Sequence, residues 1–408
     1  MSLRGFLFVL GVSLGIGAAA YGQAGMRQVA PLKNGDSVLP GAWRMNEYLP
    51  QLKGKKVALL INQTSLVGKT SLLDTLIKRG VQVVKVFVPE HGFRGNAEAG
   101  VDIANEVDSA TGTPVISLYG DTKKPKPQHL AGVDVVVYDL QDVGVRFYTY
   151  ISTMQYAMEA CAENNKQFII LDRPNPNGHY IDGPVLKPAF KSFVGMQPVP
   201  IVYGMTVGEY ARMLKGEKWA KGTEKLNMQV ISCAGYDHNT LYRLPVRPSP
   251  NLKNMAAVLS YPTVCFFEGT VVSVGRGTAT PFQMWGHPSF KGHSVYSFRP
   301  VPVWGQKTDP MYAFQDCYGE MVALNEKEAL MIMDRKIRLI WLQRAYSWYT
   351  EKDKFFNNFF EKLAGTAELR KQIEQNMPED KIRASWQPEI QQFKKIRKKY
   401  LLYKDFEG

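Results

Sequence analysis

The stretch Pro89-Glu90-His91-Gly92-Phe93-Arg94-Gly95 puts an acid, an imidazole and a guanidinium on one turn-forming segment. Such a set can give up a proton, orient one, or bind an anion. Taken alone it also reads as a polar surface loop, so its surroundings decide. It follows Val83-Val84-Lys85-Val86-Phe87-Val88, a short Val-rich run stopped by proline, which is the pattern of a buried parallel strand. Ligands of open parallel sheets bind beyond the carboxyl ends of the strands. A carboxyl partly withdrawn from water there suits a general acid. Glu268, within Phe266-Phe267-Glu268-Gly269-Thr270, is flanked by aromatics and glycine; Asp139, Asp142 and Asp172 are further carboxylates. Paired carboxylates with aromatics for stacking are the chemistry of glycoside cleavage. Each Asp also has a plain structural reading as a cap or turn ligand, and for Asp172, which precedes Arg173-Pro174-Asn175, the two readings balance.

The elements that must position these groups alternate. Residues 55–62, 83–88, 115–118, 133–139 and 167–171 read as strands; 70–79 and 148–164 read as helices. Thr206 with Glu209 forms a capping box for a helix over 206–215, followed by a strand over 226–232. Alternation of this kind implies a parallel sheet covered on both faces. All five of the first strands end in polar sequence, at Asn62-Gln63-Thr64, Glu90-His91, Tyr119-Gly120, Asp139-Leu140-Gln141-Asp142 and Asp172-Arg173. Parallel strands bring these ends to one edge. The expected fold class is α/β, a Rossmann-like parallel-sheet domain followed by a smaller α+β C-terminal domain, with the site in the cleft between them. The proline-dense stretch Pro245 to Pro250 marks the boundary: residues 23–245 form the first domain and 246–408 the second, where 326–346 reads as one long helix. Residues 23–45 read as a poorly ordered lead-in.

Other motifs are weaker. Gly68-Lys69-Thr70 sits where a phosphate loop would, but position 63 is Gln and the phosphate nest cannot form. Gly275-Arg276-Gly277 lacks a third glycine. There is no G-x-S-x-G elbow. A metal site can be drawn from His91, Asp139 and Asp142, but no close His pair supports it; neither a metal nor a cofactor is expected.

The chain has 408 residues, 45% of them hydrophobic, and a net charge of +13, with its densest basic cluster at Lys394 to Lys399, which reads as a solvated helix face. Met1 to Arg4 is a short basic start, Gly5 to Ala20 is almost wholly apolar, and Ala20-Tyr21-Gly22 offers small residues for cleavage. Residues 1–22 therefore read as a secretory signal peptide, too short for a spanning helix. The expected location is periplasmic or secreted, without a stable membrane anchor after cleavage. Export removes nucleic acid and cytosolic ATP as partners. The four cysteines form no C-x-x-C pair; buried thiols and disulfides are both open.

Taken together, several segments are recognisable. Pro89 to Gly95, Ser117 to Gly120, Asp139 to Tyr150, Asp172 to Gly178, Tyr203 to Thr206, Pro248 to Asn251, Phe267 to Thr270 and Gly275 to Thr278 resemble the NamZ (YbbC-type) exo-β-N-acetylmuramidases over about residues 50–400. His179 and Val271 depart from the family pattern, and Val271 bears on sugar contacts. The resemblance implies release of N-acetylmuramic acid from the non-reducing end of peptidoglycan fragments, in cell-wall turnover or recycling. It makes Glu90 the general acid, tuned by His91, with Glu268 or Asp142 as the second carboxylate. That partner would activate water, attack directly, or steady an attacking acetamido group. Substrate contacts fall on Arg94, Tyr119, Asp139, Arg146, Tyr148, Asp172, Arg173, Asn175, Asn251 and Arg276. Of these, Arg94, Arg146, Arg173 and Arg276 are the arginines able to grip the lactyl carboxylate. The alternatives are a non-catalytic muropeptide-binding protein, which would need no acid–base pair, and a metal-dependent hydrolase.

Overall fold

A computed structural model describes residues 31–93, 106–303 and 308–407. The leader and Arg94 lie outside the described residues. Six strands fall where apolar runs placed them, β1 Lys56–Ile61, β2 Gln82–Val88, β4 Pro114–Ser117, β5 Val135–Asp139, β6 Gln167–Leu171 and β7 Met228–Ile231, and a two-residue strand, β3 Glu106–Val107, is one that the sequence did not suggest. They form a seven-stranded sheet in the order β7-β6-β5-β1-β2-β4-β3, parallel except for the β3–β4 pair. From β1 the chain winds outward through β2 to β4, then returns to β5 on the other side and winds on to β7. The switch point of the topology therefore lies between β1 and β5, where crevices open in sheets of this kind.

Alternation along each strand divides the core. Ala58 and Leu60, Val136 and Tyr138, and Phe168 and Ile170 face one side; Val57, Leu59, Ile61, Val135, Val137, Ile169 and Leu171 face the other. The second face is covered by α1 (Met45–Leu52) and α2 (Leu72–Lys78), through Tyr48, Leu52, Leu72, Leu73 and Leu76. Each aliphatic side chain buried this way contributes about 1.5–3 kcal/mol. Ser71 caps α2, its hydroxyl accepting from the Asp74 amide at 3.2 Å. Gly68, the glycine of the failed phosphate loop, sits at φ +61° in the turn of a two-strand hairpin instead.

The first face is covered by α3 (Tyr150–Glu163) and α4 (Val207–Gly216). The capping box is present: Thr206 Oγ1 accepts from the Glu209 amide, and Glu209 accepts from the Thr206 amide. The core on this face continues without a break into the C-terminal half, through Phe266, Trp285, Phe360, Leu363 and Ile390. From Leu32 onward the described residues form one compact unit.

That half contains α5 (Met255–Val264), a three-stranded antiparallel sheet (β8 Met284–His287, β9 Ser297–Phe298, β10 Cys317–Met321, order β8-β10-β9), and a run of helices. These helices are α6 Glu326–Met333, α7 Ile340–Trp348, α8 Phe360–Ala364, α9 Glu368–Glu374 and α10 Glu379–Lys398.

Two expectations are corrected. The lead-in is not loose from residue 33 onward: Lys33–Asn34 pair with Thr240–Leu241, and the Gly41 amide donates to Asp172 O at 2.8 Å beside the buried Ala42. The helix expected over 326–346 is two helices. Asp334 and Arg335 take φ of +44° and +58°, and the freed amides of Ile337 and Arg338 donate to Asp182 and Thr263 side chains. Tertiary partners thus stop a segment whose own pattern would continue. The four cysteines are free and buried. No helix among the described residues is long and apolar enough to cross a membrane.

Candidate active site

The carboxyl ends of β2, β4 and β5 open into a cavity of about 590 Å³, closed on its far side by the segments that follow α5. Its size suits one or two sugar rings. Glu90 enters from a turn in which the Gly92 amide donates to Pro89 O at 3.1 Å. His91 sits third in that turn at φ +74°, as a type II turn needs. A non-glycine residue held there costs of order 1 kcal/mol, and such strain concentrates at functional sites. Thr149 Oγ1 donates to Glu90 Oε2 at 2.8 Å. His91 is buried at the cavity wall.

Glu268 enters from the opposite side, in a 3-10 turn (Cys265–Gly269) that continues α5. Arg276 holds it: Nε and Nη2 donate to Oε1 at 2.8 and 2.6 Å, with the guanidinium 5.2 Å over the Phe282 ring. Burial pulls the Arg276 pKa down, but the adjacent carboxylate outweighs it and leaves the guanidinium above its ordinary value. The Cys265 thiol lies 3.5 Å from Glu268 Oε2.

Backbone clamps fix the floor. Gln63 Nε2 donates to the carbonyls of Arg247 and Pro248, and the Tyr148 hydroxyl donates to Pro248 O at 2.8 Å. These bonds bring Ser249 and Asn251 into the cavity wall. Tyr148 packs edge-on against Tyr150 and Tyr261. Tyr119 lines the wall near Phe193.

Glu90, His91, Tyr119, Tyr148, Asn251, Glu268 and Arg276 thus meet at one cavity. The other described polar residues singled out in the sequence turn inward. Asp139 and Arg173 form a buried pair, Nε to Oδ1 at 2.5 Å and Nη2 to Oδ2 at 2.9 Å. Asp172 accepts from Thr206 Oγ1, the Gly208 amide and the Tyr403 hydroxyl, so it ties β6 to α4 and the C-terminus. Arg146 is fully buried and donates to four carbonyls, of Pro184, Val199, Leu363 and Ala364. Burial lowers its pKa to about 9. Asn175 donates to Met205 O and fills the space beside Gly144, where at φ +75° any Cβ would strike its amide.

Asp142 accepts from Tyr203 and from the Gly144 amide. Burial raises its pKa to about 6 against those bonds. It does not line the cavity, and neither does Asp139. The drawn metal set of His91, Asp139 and Asp142 therefore does not converge.

Sequence reasoning missed Thr149, Lys123, Phe193, Tyr261, Phe282 and Asp309, all at the cavity. Thr149 lies within the segment Asp139 to Tyr150, and that position is its signal in the sequence; the others carry none in the sequence alone.

Two family models cover the chain: exo-beta-N-acetylmuramidase NamZ, N-terminal, over residues 57–256, and the C-terminal counterpart over 259–403. They meet inside α5. The chain is 36% identical over 390 residues to the peptidoglycan beta-N-acetylmuramidase NamZ of Bacillus subtilis (strain 168), covering 90% of each. Two solved structures of DUF1343 family proteins from Bacteroides fragilis NCTC 9343 are also similar. One has TM-score 0.83 at 45% identity and the other 0.72 at 31%, each match covering 90% of this chain and 99% of the other.

Proposed function

The chain belongs to the exo-beta-N-acetylmuramidase NamZ family, and from that premise we propose that its cleft hydrolyses the β-glycosidic bond of a terminal N-acetylmuramic acid in peptidoglycan. The observation that carries this reading is that two carboxylates from opposite halves of the chain, Glu90 and Glu268, line one cavity.

Glu90 protonates the bridging oxygen as the C1–O bond breaks, held in place by Thr149. His91, next to it in the turn, orients it. Water supplies the oxygen that ends on C1, and a carboxylate takes up its proton. Glu268 is the second carboxylate, because it faces the cavity and Asp142 does not. Tyr119, Tyr148 and Asn251 contact the sugar. Asp139, Arg146, Asp172, Arg173 and Asn175 support the site by bracing the strand ends.

Peptidoglycan fragments are the substrate class. The basic and then apolar leader supports export to the periplasm or beyond, where the polymer lies. Incubation with glycan strands that end in N-acetylmuramic acid tests the reading. Free N-acetylmuramic acid, detected by mass spectrometry, is the expected product. Tight binding without release would make the chain a muropeptide-binding protein, and loss of turnover with chelator would make it a metal-dependent hydrolase.

A further inference from the structure

We propose that Lys123 binds the carboxylate of the lactyl ether on muramic acid and thereby sets the preference for that sugar. This deepens the proposed activity and rests on it. N-acetylmuramic acid differs from N-acetylglucosamine by that ether, so a site that prefers it gains from a cation at the ether's position. The described cavity wall carries two strong cations, Arg276 and Lys123. Arg276 is already balanced by Glu268 at 2.6 Å. The neighbouring Lys124 points elsewhere, to Glu159 and Glu163 at 3.3 and 2.7 Å.

Lys123 is placed differently. Its Nζ lies 5.1 Å over the Phe193 ring, and no acidic side chain among the described residues forms an ion pair with it. Phe193 is itself stacked on Tyr156, with centroids 6.0 Å apart and planes at 12°. The turn that carries Phe193 is closed by paired backbone bonds between Ser192 and Gly195, at 2.9 and 3.0 Å. The ammonium is therefore held on a fixed aromatic shelf at the cavity wall, with its donors available to an incoming anion. A carboxylate binds an ammonium more strongly than a ring face does. Lysine also suits an anion on a rotatable ether, because its point charge imposes no bidentate geometry.

The test compares a chromogenic N-acetylmuramic acid β-glycoside with the same compound carrying its lactyl carboxylate as the methyl ester. For the full-length wild type, kcat/KM should be roughly 10- to 100-fold higher for the free acid. In Lys123→Met that ratio should fall to near one, and Lys123→Arg should restore most of it. The ratio is unaffected by a general loss of folded enzyme. An equal ratio in wild type and Lys123→Met, or a wild-type ratio near one, would overturn the proposal. Failure of the wild type to cleave either compound would instead strike at the hydrolase reading.

Discussion

Thr149 Oγ1 donates to Glu90 Oε2 at 2.8 Å, across 59 residues of sequence. The acid follows β2 by two residues, and the hydroxyl sits just before α3, so the bond joins the two arms of the sheet across its switch point. Thr149→Val removes the donor and little volume. We expect kcat to fall about tenfold with KM changed less than about threefold, because positioning of the acid matters most in the transition state. Steady-state kinetics on a muramic acid glycoside checks this.

Arg276 grips Glu268 with two nitrogens and packs over Phe282. Arg276→Met leaves a carboxylate in the cavity without its counter-ion and should reduce kcat/KM about 100-fold. Arg276→Lys keeps the charge but loses the planar fork, and should recover only part of that. The same assay measures both, with circular dichroism confirming the fold.

Asp142 separates site from scaffold. Asp142→Asn should keep activity within about tenfold, since the amide oxygen can still accept from Tyr203 and Gly144. It should also change how stability depends on pH. Burial raises the Asp142 pKa from 3.8 to about 6. The native state therefore holds this proton over a range in which the unfolded chain has released it. That contribution is fully present below about pH 3.8 and is lost as pH rises through about 6. Asn cannot ionise, so the variant should gain on the wild type between pH 4 and pH 7, by on the order of 2–3 kcal/mol. Urea unfolding at the two pH values reads the difference.

The Asp139–Arg173 pair lies wholly inside the protein. Asp139→Asn strands a buried guanidinium and should cost about 3–5 kcal/mol of stability. Chemical denaturation gives that figure, and the activity lost should track the folded fraction.

These outcomes bear on what the sequence could reveal. The strands were legible because a parallel strand buried on both faces must be continuously apolar, as Val135–Tyr138 and Phe168–Leu171 are. The α4 cap was legible because Thr206 and Glu209 satisfy each other locally. Polar strand ends were legible as a cluster but not one by one. Asp139, Arg146, Asp172 and Arg173 have the residue types of a sugar site, yet the same types brace a sheet edge, and only packing tells the two uses apart. Lys123 and Phe193 look like ordinary loop residues until the fold sets them against the cavity. The break at Asp334–Arg335 was hidden because its partners, Asp182 and Thr263, are far away in the chain.

The most direct measurement is turnover of a chromogenic N-acetylmuramic acid β-glycoside by Glu90→Gln, alongside the wild type at equal folded concentration. Glutamine keeps the shape and can still meet Thr149, but it has no proton to give. We expect a kcat loss of about 100-fold or more with substrate binding retained. A Glu90→Gln enzyme that folds normally and turns over at the wild-type rate would contradict it.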